Sequence, residues 1–239
     1  MANAVANEWM SQKKELNLTQ MHINGNLSCI IIKNSLHFLQ GLCNTVIDNP
    51  GQVDKQKLVT SVLSFLETDT VLFYGEEPPE LLQAQMERWS PIILWFRERF
   101  GVSIEPTTNV MTPPVQECKR TPHSSNHLTN LFYIQCISAD LKVLEKYLMS
   151  HSYESLQGFT FAVDALKSLI LCAACVERRL TVTEAVRLAR LETEVQTSHW
   201  GSVEWAHDIE GHDTTARVAA GVMFVHCSSA GSTTRSKQY

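Results

Sequence analysis

The stretch from Leu191 to Asp208 brings together side chains whose types and spacing could do chemistry. It reads LETEVQTSHWGSVEWAHD and holds four carboxylates, two tryptophans and two histidines: Glu192, Glu194, Glu204, Asp208, Trp200, Trp205, His199 and His207. Carboxylates beside histidines can transfer protons. Tryptophans mixed with charged groups are typical of a partner-binding patch or of a polar contact that locks helices together. The stretch therefore leaves three functions open, namely catalysis, binding and packing.

A catalytic interpretation would centre on His207, Asp208 and Glu204 as the acid–base groups of a hydrolase-like enzyme. The sequence contains no Gly-x-Ser-x-Gly elbow, no HExxH metal motif and no Walker-type or dinucleotide loop. We therefore predict no catalytic residue, no metal and no cofactor, and keep the hydrolase as an alternative.

A second motif, Cys172-Ala-Ala-Cys175, could in principle bind zinc or exchange disulfides. Zinc needs two more ligands at suitable spacing, and a redox pair stands at the start of a helix after a strand. This pair lies inside an apolar run, and the sequence has no second pair. We predict two buried structural thiols.

The remaining residues of the stretch are candidates either for binding a partner or for packing the helices together. Glu192, Gln196 and His199 share one helical face, beside an apolar stripe of Leu188, Leu191 and Val195. A solvated acidic face over a core stripe is the simpler explanation for such a helix. The tryptophans and acidic groups at the bend near Gly201 make that explanation less sufficient, because such groups are typical of either a buried polar lock or an interaction patch. We predict that Glu192, Glu194 and Gln196 contact a partner, and that Trp200, Trp205, His207 and Asp208 support the bend.

The composition limits the size of the core, the class of partner and the cellular compartment. The chain has 239 residues, 44% of them hydrophobic, and a net charge of −5, so it can form a sizeable core and is a poor candidate for binding nucleic acid. Its N-terminus shows neither a secretory signal nor a mitochondrial presequence, and no run is long enough for a membrane span. Seven cysteines without a signal predict free thiols in a reducing compartment.

The periodicity of apolar residues predicts a mainly α protein. Val71 to Tyr74 is the only segment typical of a strand, and Gly101 and the capping box that opens at Thr181 mark helix boundaries. The predicted helices cover Asp54 to Leu66, Pro79 to Phe100 with a start or kink at Pro91, Leu141 to Met149, Ser155 to Arg179, Thr181 onward and Thr214 to His226.

Several colinear motifs resemble those of the mitochondrial ATP synthase assembly factor 2 family, the chaperones of the alpha subunit of the catalytic head. The clearest runs from Arg190 to Asp208. The others are Ala4 to Trp9, Leu42 to Thr45 with Asp48 to Pro50, Phe65 to Thr70, Trp89 to Ile93, Phe100 to Val102, Leu156 to Gly158, Ala216-Arg217 and Ala219 to Gly221.

The resemblance implies a non-enzymatic chaperone of the mitochondrial matrix that binds the free alpha subunit until beta subunits pair with it. It implies an α+β fold with an N-terminal β-rich domain and a C-terminal helical domain, and a chaperone role for Glu192. We expect a remnant of the first domain in residues 1–75 and the helical domain in residues 76–239. We also expect the free protein to be monomeric.

The chain departs from the family pattern in four places. Most of the β-rich domain has no counterpart, residues 23–41 and 121–141 resemble insertions, and Ile209 to Thr215 is unlike the family. We hypothesise that the start is truncated and that both insertions are gene-model artefacts. Finding both segments and this start codon in the mature transcript would contradict that. A nonfunctional truncated product is the remaining alternative.

Overall fold

The computed structural model describes residues 25–75, 77–108, 140–201, 203 and 206–235. Within these residues the chain forms nine α-helices and two short 3-10 turns, at Phe65–Thr68 and Thr70–Leu72. The helices are α1 (Gly25–Asp48), α2 (Lys55–Ser64), α3 (Pro79–Phe100), α4 (residues 140–149), α5 (Tyr153–Leu166), α6 (Leu169–Val176), α7 (Val182–Ala189), α8 (Leu191–Trp200) and α9 (Ala206–Arg235). The predicted mainly α class is confirmed.

Local sequence signals explain most helix boundaries. The Asp54 side chain accepts a hydrogen bond from the Lys57 N–H at 2.7 Å and so caps α2. Thr181 and Glu184 form the predicted capping box of α7. Gly101 ends α3 with a φ of +66°, a conformation that costs glycine little. Pro91 lies inside α3, which continues through it as one helix.

The predicted strand at Val71 to Tyr74 is wrong. Residues 70–72 form a 3-10 turn, because the Asp69 carboxylate accepts a hydrogen bond from the Val71 N–H at 3.2 Å. Among the described residues, what remains of strand pairing is one parallel bridge between Phe73 and Thr107. The apolar run that predicted a strand serves instead to bury side chains in the core.

The single helix predicted from Ser155 to Arg179 is also wrong, because the chain breaks between α5 and α6. Lys167 adopts a left-handed conformation with a φ of +54°, and its carbonyl accepts hydrogen bonds from the N–H and hydroxyl of Thr70. Ser168 then caps α6 by accepting from the Leu171 N–H at 3.0 Å. The helical period runs on through the break, so periodicity alone does not reveal it.

The core is centred on α5 and α6. Every residue of α6 is buried, and Trp89 and Phe96 of α3 are fully buried beside it. Helix α9 packs along α5 with small residues, among them Gly158 and Gly221, at the contact. Helix α1 lies against α9, with the Ser35 hydroxyl donating to the Ala216 carbonyl at 3.2 Å. None of the helices in the described part of the chain is long and apolar enough to cross a membrane.

Of the two segments predicted as insertions, the structure describes most of the first and little of the second. Residues 25–41 of the first form most of α1. The second lies outside the described residues, apart from residues 140 and 141 at the start of α4.

Candidate functional site

Helix α8 carries the residues predicted to bind a partner, and α3 holds it in place. The Trp89 indole N–H donates to the Leu188 carbonyl at 2.9 Å, at the end of the helix that precedes α8. Leu191 is buried, and Leu188 packs against the same core. Leu188 and Leu191 of the predicted apolar stripe therefore face inward, whereas Val195 is only half-buried, and the polar face of α8 stays available.

Glu192 is half-buried and fixed by a fully buried glutamine. The Gln85 amide nitrogen donates to Glu192 Oε1 at 3.1 Å, and the Gln85 amide oxygen accepts from the Gly75 N–H at 2.9 Å. Gln85 thus links the segment after the 3-10 turns to α8. Because a buried amide is costly unless its polar atoms are paired, this arrangement constrains where the Glu192 carboxylate can lie.

The other two predicted partner-binding residues are exposed. Glu194 forms an ion pair with Arg88 at 3.0 Å, with more than half of each side chain exposed, so the pair adds little stability. Gln196 lies two residues further along α8 and is also exposed. Their contact with a partner stays a prediction.

The bend between α8 and α9 is held by Arg190, the first residue of the clearest family motif. Its Nη2 atom donates to the His207 carbonyl at 2.8 Å and to Glu210 Oε2 at 3.1 Å. The bend is therefore tied through the backbone of His207 and through the first turns of α9.

The supporting role predicted for Trp200 is corrected by the structure. Its side chain is 77% exposed, so it does not pack against the helices at the bend. Asp208 is also exposed, and no ion pair joins it to another described residue. Trp205, also predicted to support the bend, lies outside the described residues. So does Glu204 of the hydrolase alternative.

A cleft of about 190 Å³ lies between α7, α8 and the start of α9. We call it the Arg190 cleft, and its lining consists of Val186, Arg187, Arg190, Thr193, Glu194, Thr197, His207 and Asp208. It brings His207 and Asp208 together, as the hydrolase alternative requires. The Thr197 hydroxyl, however, donates to the Glu194 carbonyl at 3.0 Å, and no hydrogen bond joins the His207 ring to any other described residue. That alternative therefore lacks a nucleophile–base pair in the described part of the site.

The two cysteines of the CxxC motif are buried thiols, as predicted. Burial raises the pKa of Cys175 to about 12 and the pKa of Cys172 well above its usual value. Both groups therefore stay protonated near neutral pH and are poor nucleophiles. Across the described residues, no group of three histidine, cysteine or acidic side chains could hold a metal ion.

Two residues fix the geometry of the site but are not among those predicted from the sequence, namely Gln85 and Arg190. Gln85 does leave a signal, because it falls between Leu81 and Trp89 on the buried face of α3. A polar residue at such a position indicates a buried hydrogen bond.

Replacing Gln85 by methionine tests this arrangement. The variant keeps the length of the side chain but leaves the Gly75 N–H without its acceptor, so we expect the free energy of unfolding to fall by about 2 kcal/mol. Urea unfolding measures the change. In the matched control, Gln83→Met removes an exposed amide that contacts Glu87, and we expect a change below about 0.5 kcal/mol. Equal effects of the two substitutions would refute the proposed importance of Gln85.

Comparisons with known proteins agree with this fold. Residues 1–97 match the family model of the ATP12 chaperone protein. The mitochondrial protein atp12 of Schizosaccharomyces pombe is 27% identical over 177 residues, which cover 73% of this chain and 55% of the relative. The chain thus spans about half the length of the curated relative that it matches.

Two crystal structures share the fold. Atp12 from Paracoccus denitrificans matches with a TM-score of 0.61 and 21% identity, covering 78% of this chain and 70% of its own. The Atu1473 protein of Agrobacterium tumefaciens matches with a TM-score of 0.60 and 22% identity, covering 78% of this chain and 61% of its own. These structures show the fold, and the sequence matches confirm the predicted resemblance to the family.

Proposed function

We propose that this chain, a relative of the ATP12 chaperone proteins, is an assembly chaperone that binds the free alpha subunit of the mitochondrial ATP synthase catalytic head. The match to the family model over residues 1–97 carries the proposal, and the 27% identity to a curated relative over 73% of the chain supports it. The chaperone acts without turnover, cofactor or metal. It prevents aggregation of the alpha subunit before beta subunits cover the same surface.

The physical basis is the cost of an uncovered interface. A subunit that will be buried in a ring exposes apolar surface before assembly, and such surface aggregates. A temporary partner must cover that surface and then leave. An interface with a limited apolar centre and a polar rim suits this purpose better than a large apolar one.

The features of α8 and the adjacent bend support binding there. Trp200, Val203 and Ile209 are large apolar side chains that are each more than 60% exposed. Glu192 lies on the same helix as Trp200 and is held by Gln85. A constrained carboxylate and exposed apolar side chains on one helix and the bend after it are typical of a specific docking site.

The proposal extends to the organisation and location of the protein. We propose residues 1–75 as the remnant of a first domain and residues 76–239 as the helical domain. We place the protein in the mitochondrial matrix, in accord with the mitochondrial relative, and regard the free form as monomeric.

Glu192→Gln tests the assigned role with little change of shape. We expect the variant to fold normally and to lose about tenfold in its ability to keep free alpha subunit soluble, because a charged contact in a partly buried site is lost. Light scattering of diluted alpha subunit, with and without the chaperone, measures this. Glu194→Gln and Gln196→Ala should have smaller effects, since both side chains are exposed.

The control variant is Glu98→Gln, which removes the same charge from an exposed position on α3. It should protect the alpha subunit as well as the unchanged protein does. If Glu192→Gln also protects fully, the assigned role of Glu192 is wrong. If this chain does not protect the alpha subunit, the proposed function is wrong.

A further inference from the structure

The proposed docking site is divided between two helices that hardly touch each other. Glu192 and Trp200 lie on α8, whereas Ile209 lies in the first turn of α9. Helix α8 packs on α3 and α7, and α9 packs mainly on α5, α1 and α7. Because so little packing joins α8 to α9, another contact has to fix the position of Ile209 relative to Glu192.

The Arg190 side chain provides a contact of this kind. Arg190 directly precedes α8, and its Nη2 atom donates to the His207 carbonyl at 2.8 Å and to Glu210 Oε2 at 3.1 Å, both at the start of α9. The Glu210 side chain is 65% exposed, so this ion pair contributes little and the bond to the carbonyl is the more important. A planar guanidinium that donates to two acceptors fixes the direction of the contact as well as its length.

Gly211 provides the space in which this guanidinium lies. A Cβ atom at Gly211 would overlap Arg190 Nη1 and would lie 3.3 Å from Arg190 Cζ. Gly211 is part of the regular α9 helix, where alanine is ordinarily the more favourable residue. The glycine therefore serves here to admit the arginine side chain, and not to provide an unusual backbone conformation.

The position of Arg190 is unfavourable in one respect. Its Nε atom is buried and has no hydrogen-bond partner among the described residues. A buried donor without an acceptor lowers stability, so the net contribution of this side chain to the free energy of unfolding is small. A mostly buried charged group of this kind can instead select one arrangement of the helices around it.

We propose that Arg190, seated on Gly211, is a positioning residue of the docking site, which holds the start of α9 so that Glu192 and Ile209 contact the partner together. Arg190 acts through these two residues and does not itself need to touch the partner. Contacts held in one geometry bind more tightly than the same contacts free to move, because less conformational entropy is lost on binding. The identity of the partner as the alpha subunit rests on the proposed function.

Gly211→Ala separates positioning from stability. The atom that a Cβ would meet is the end of a flexible side chain, so alanine displaces Arg190 and leaves the α9 backbone in place. The lost Arg190 bonds and the gain in helix propensity oppose each other, so we expect the thermal midpoint to stay within about 3 °C. The chain concentration that halves alpha-subunit aggregation should rise about fivefold. Unchanged protection by Gly211→Ala overturns the proposal.

Arg190→Met removes the same contact from the other side. It should weaken protection by about the same factor as Gly211→Ala, and the double variant should be no worse than either single variant, since both release one contact. The matched control is Arg187→Met, which removes an exposed arginine from the lining of the same cleft and should leave protection unchanged. Losses that multiply in the double variant are incompatible with a shared contact.

Ile209→Ser provides a measurement that a purely structural role of Arg190 would not change. Ile209 is 63% exposed, so its replacement should leave the fold intact and weaken protection about threefold in the otherwise unchanged protein. In Gly211→Ala, where the start of α9 is no longer held, the same substitution should have little effect. An equal effect in both backgrounds shows that Arg190 does not position Ile209.

Hydrogen exchange on the chain alone separates this inference from the proposed function. Gly211→Ala and Arg190→Met should speed up amide exchange in the first turns of α9 but not in α6, whose residues are all buried. If exchange is faster and the unchanged chain does not protect the alpha subunit, Arg190 holds the bend and the proposed function fails. If the unchanged chain protects and exchange is the same in both variants, the proposed function stands and the positioning role fails.

Discussion

Asp69→Ala is expected to lower the free energy of unfolding by about 4 kcal/mol. The carboxylate is fully buried and accepts hydrogen bonds from the Val71 N–H at 3.2 Å and the Ile170 N–H at 3.0 Å. Alanine leaves those donors buried without an acceptor. The same change removes the link between the 3-10 turns and the start of α6. Urea unfolding followed by circular dichroism measures the loss.

The matched control for Asp69 is Asp164→Ala. Asp164 forms an exposed ion pair with Lys167 three residues away, and exposed pairs contribute little. We expect a change below about 0.5 kcal/mol there. A loss at Asp69 no larger than the loss at Asp164 would show that the buried hydrogen bonds do not hold α6 in place.

The pH dependence of stability provides a second measurement at the same residue. Burial raises the pKa of Asp69 to about 6, from an ordinary value near 3.8. The folded state therefore binds a proton more tightly than the unfolded state does. Proton binding by Asp69 therefore adds roughly 3 kcal/mol to the free energy of unfolding. This contribution is fully present below about pH 4 and is lost as the pH rises through about 6.

Asp69→Asn isolates this effect, because asparagine does not titrate. We expect the difference in unfolding free energy between the unchanged protein and Asp69→Asn to vary between pH values of about 4 and about 7. Relative to the variant, the unchanged protein should lose stability as the pH rises. Other carboxylates cancel in the comparison. A difference that stays constant, or changes in the opposite direction, contradicts the assigned pKa.

Gly158→Ala is expected to cost about 3 kcal/mol, because α5 and α9 meet backbone to backbone at this residue. A Cβ atom at Gly158 would lie 2.8 Å from the Gly221 carbonyl oxygen, and one at Gly221 would lie 2.7 Å from the Gly158 carbonyl oxygen. Backbone atoms cannot rotate away as side chains do, so the helices must separate. Thermal and urea unfolding of Gly158→Ala and Gly221→Ala measure the cost.

Gly41→Ala distinguishes close packing from the general preference of helices for alanine. Gly41 lies within α1, and a Cβ atom there would have no heavy atom within 4 Å. This substitution should stabilise the protein by about 0.5–1 kcal/mol, because glycine loses more conformational entropy on folding. If Gly158→Ala were also neutral or stabilising, the close approach of α5 and α9 would be incorrect.

The helical character of the chain could be predicted because it depends on local signals. The capping residue Asp54, the capping box at Thr181 and the glycine at 101 act on their own backbone within a few residues. The break between α5 and α6 could not be predicted in this way. Thr70 and Asp69 hold that break from about a hundred residues away in the sequence.

The candidate site also combines features that local sequence determines with contacts that depend on how the helices pack. The sequence by itself determined the helix that carries Glu192, the apolar stripe beside it and the family that the chain resembles, because each depends on residue type and spacing. Only the tertiary structure decided that Gln85 holds Glu192, that Arg190 ties the bend, and that Trp200 faces solvent. Those contacts join side chains on different helices, and their partners are set by how the helices pack.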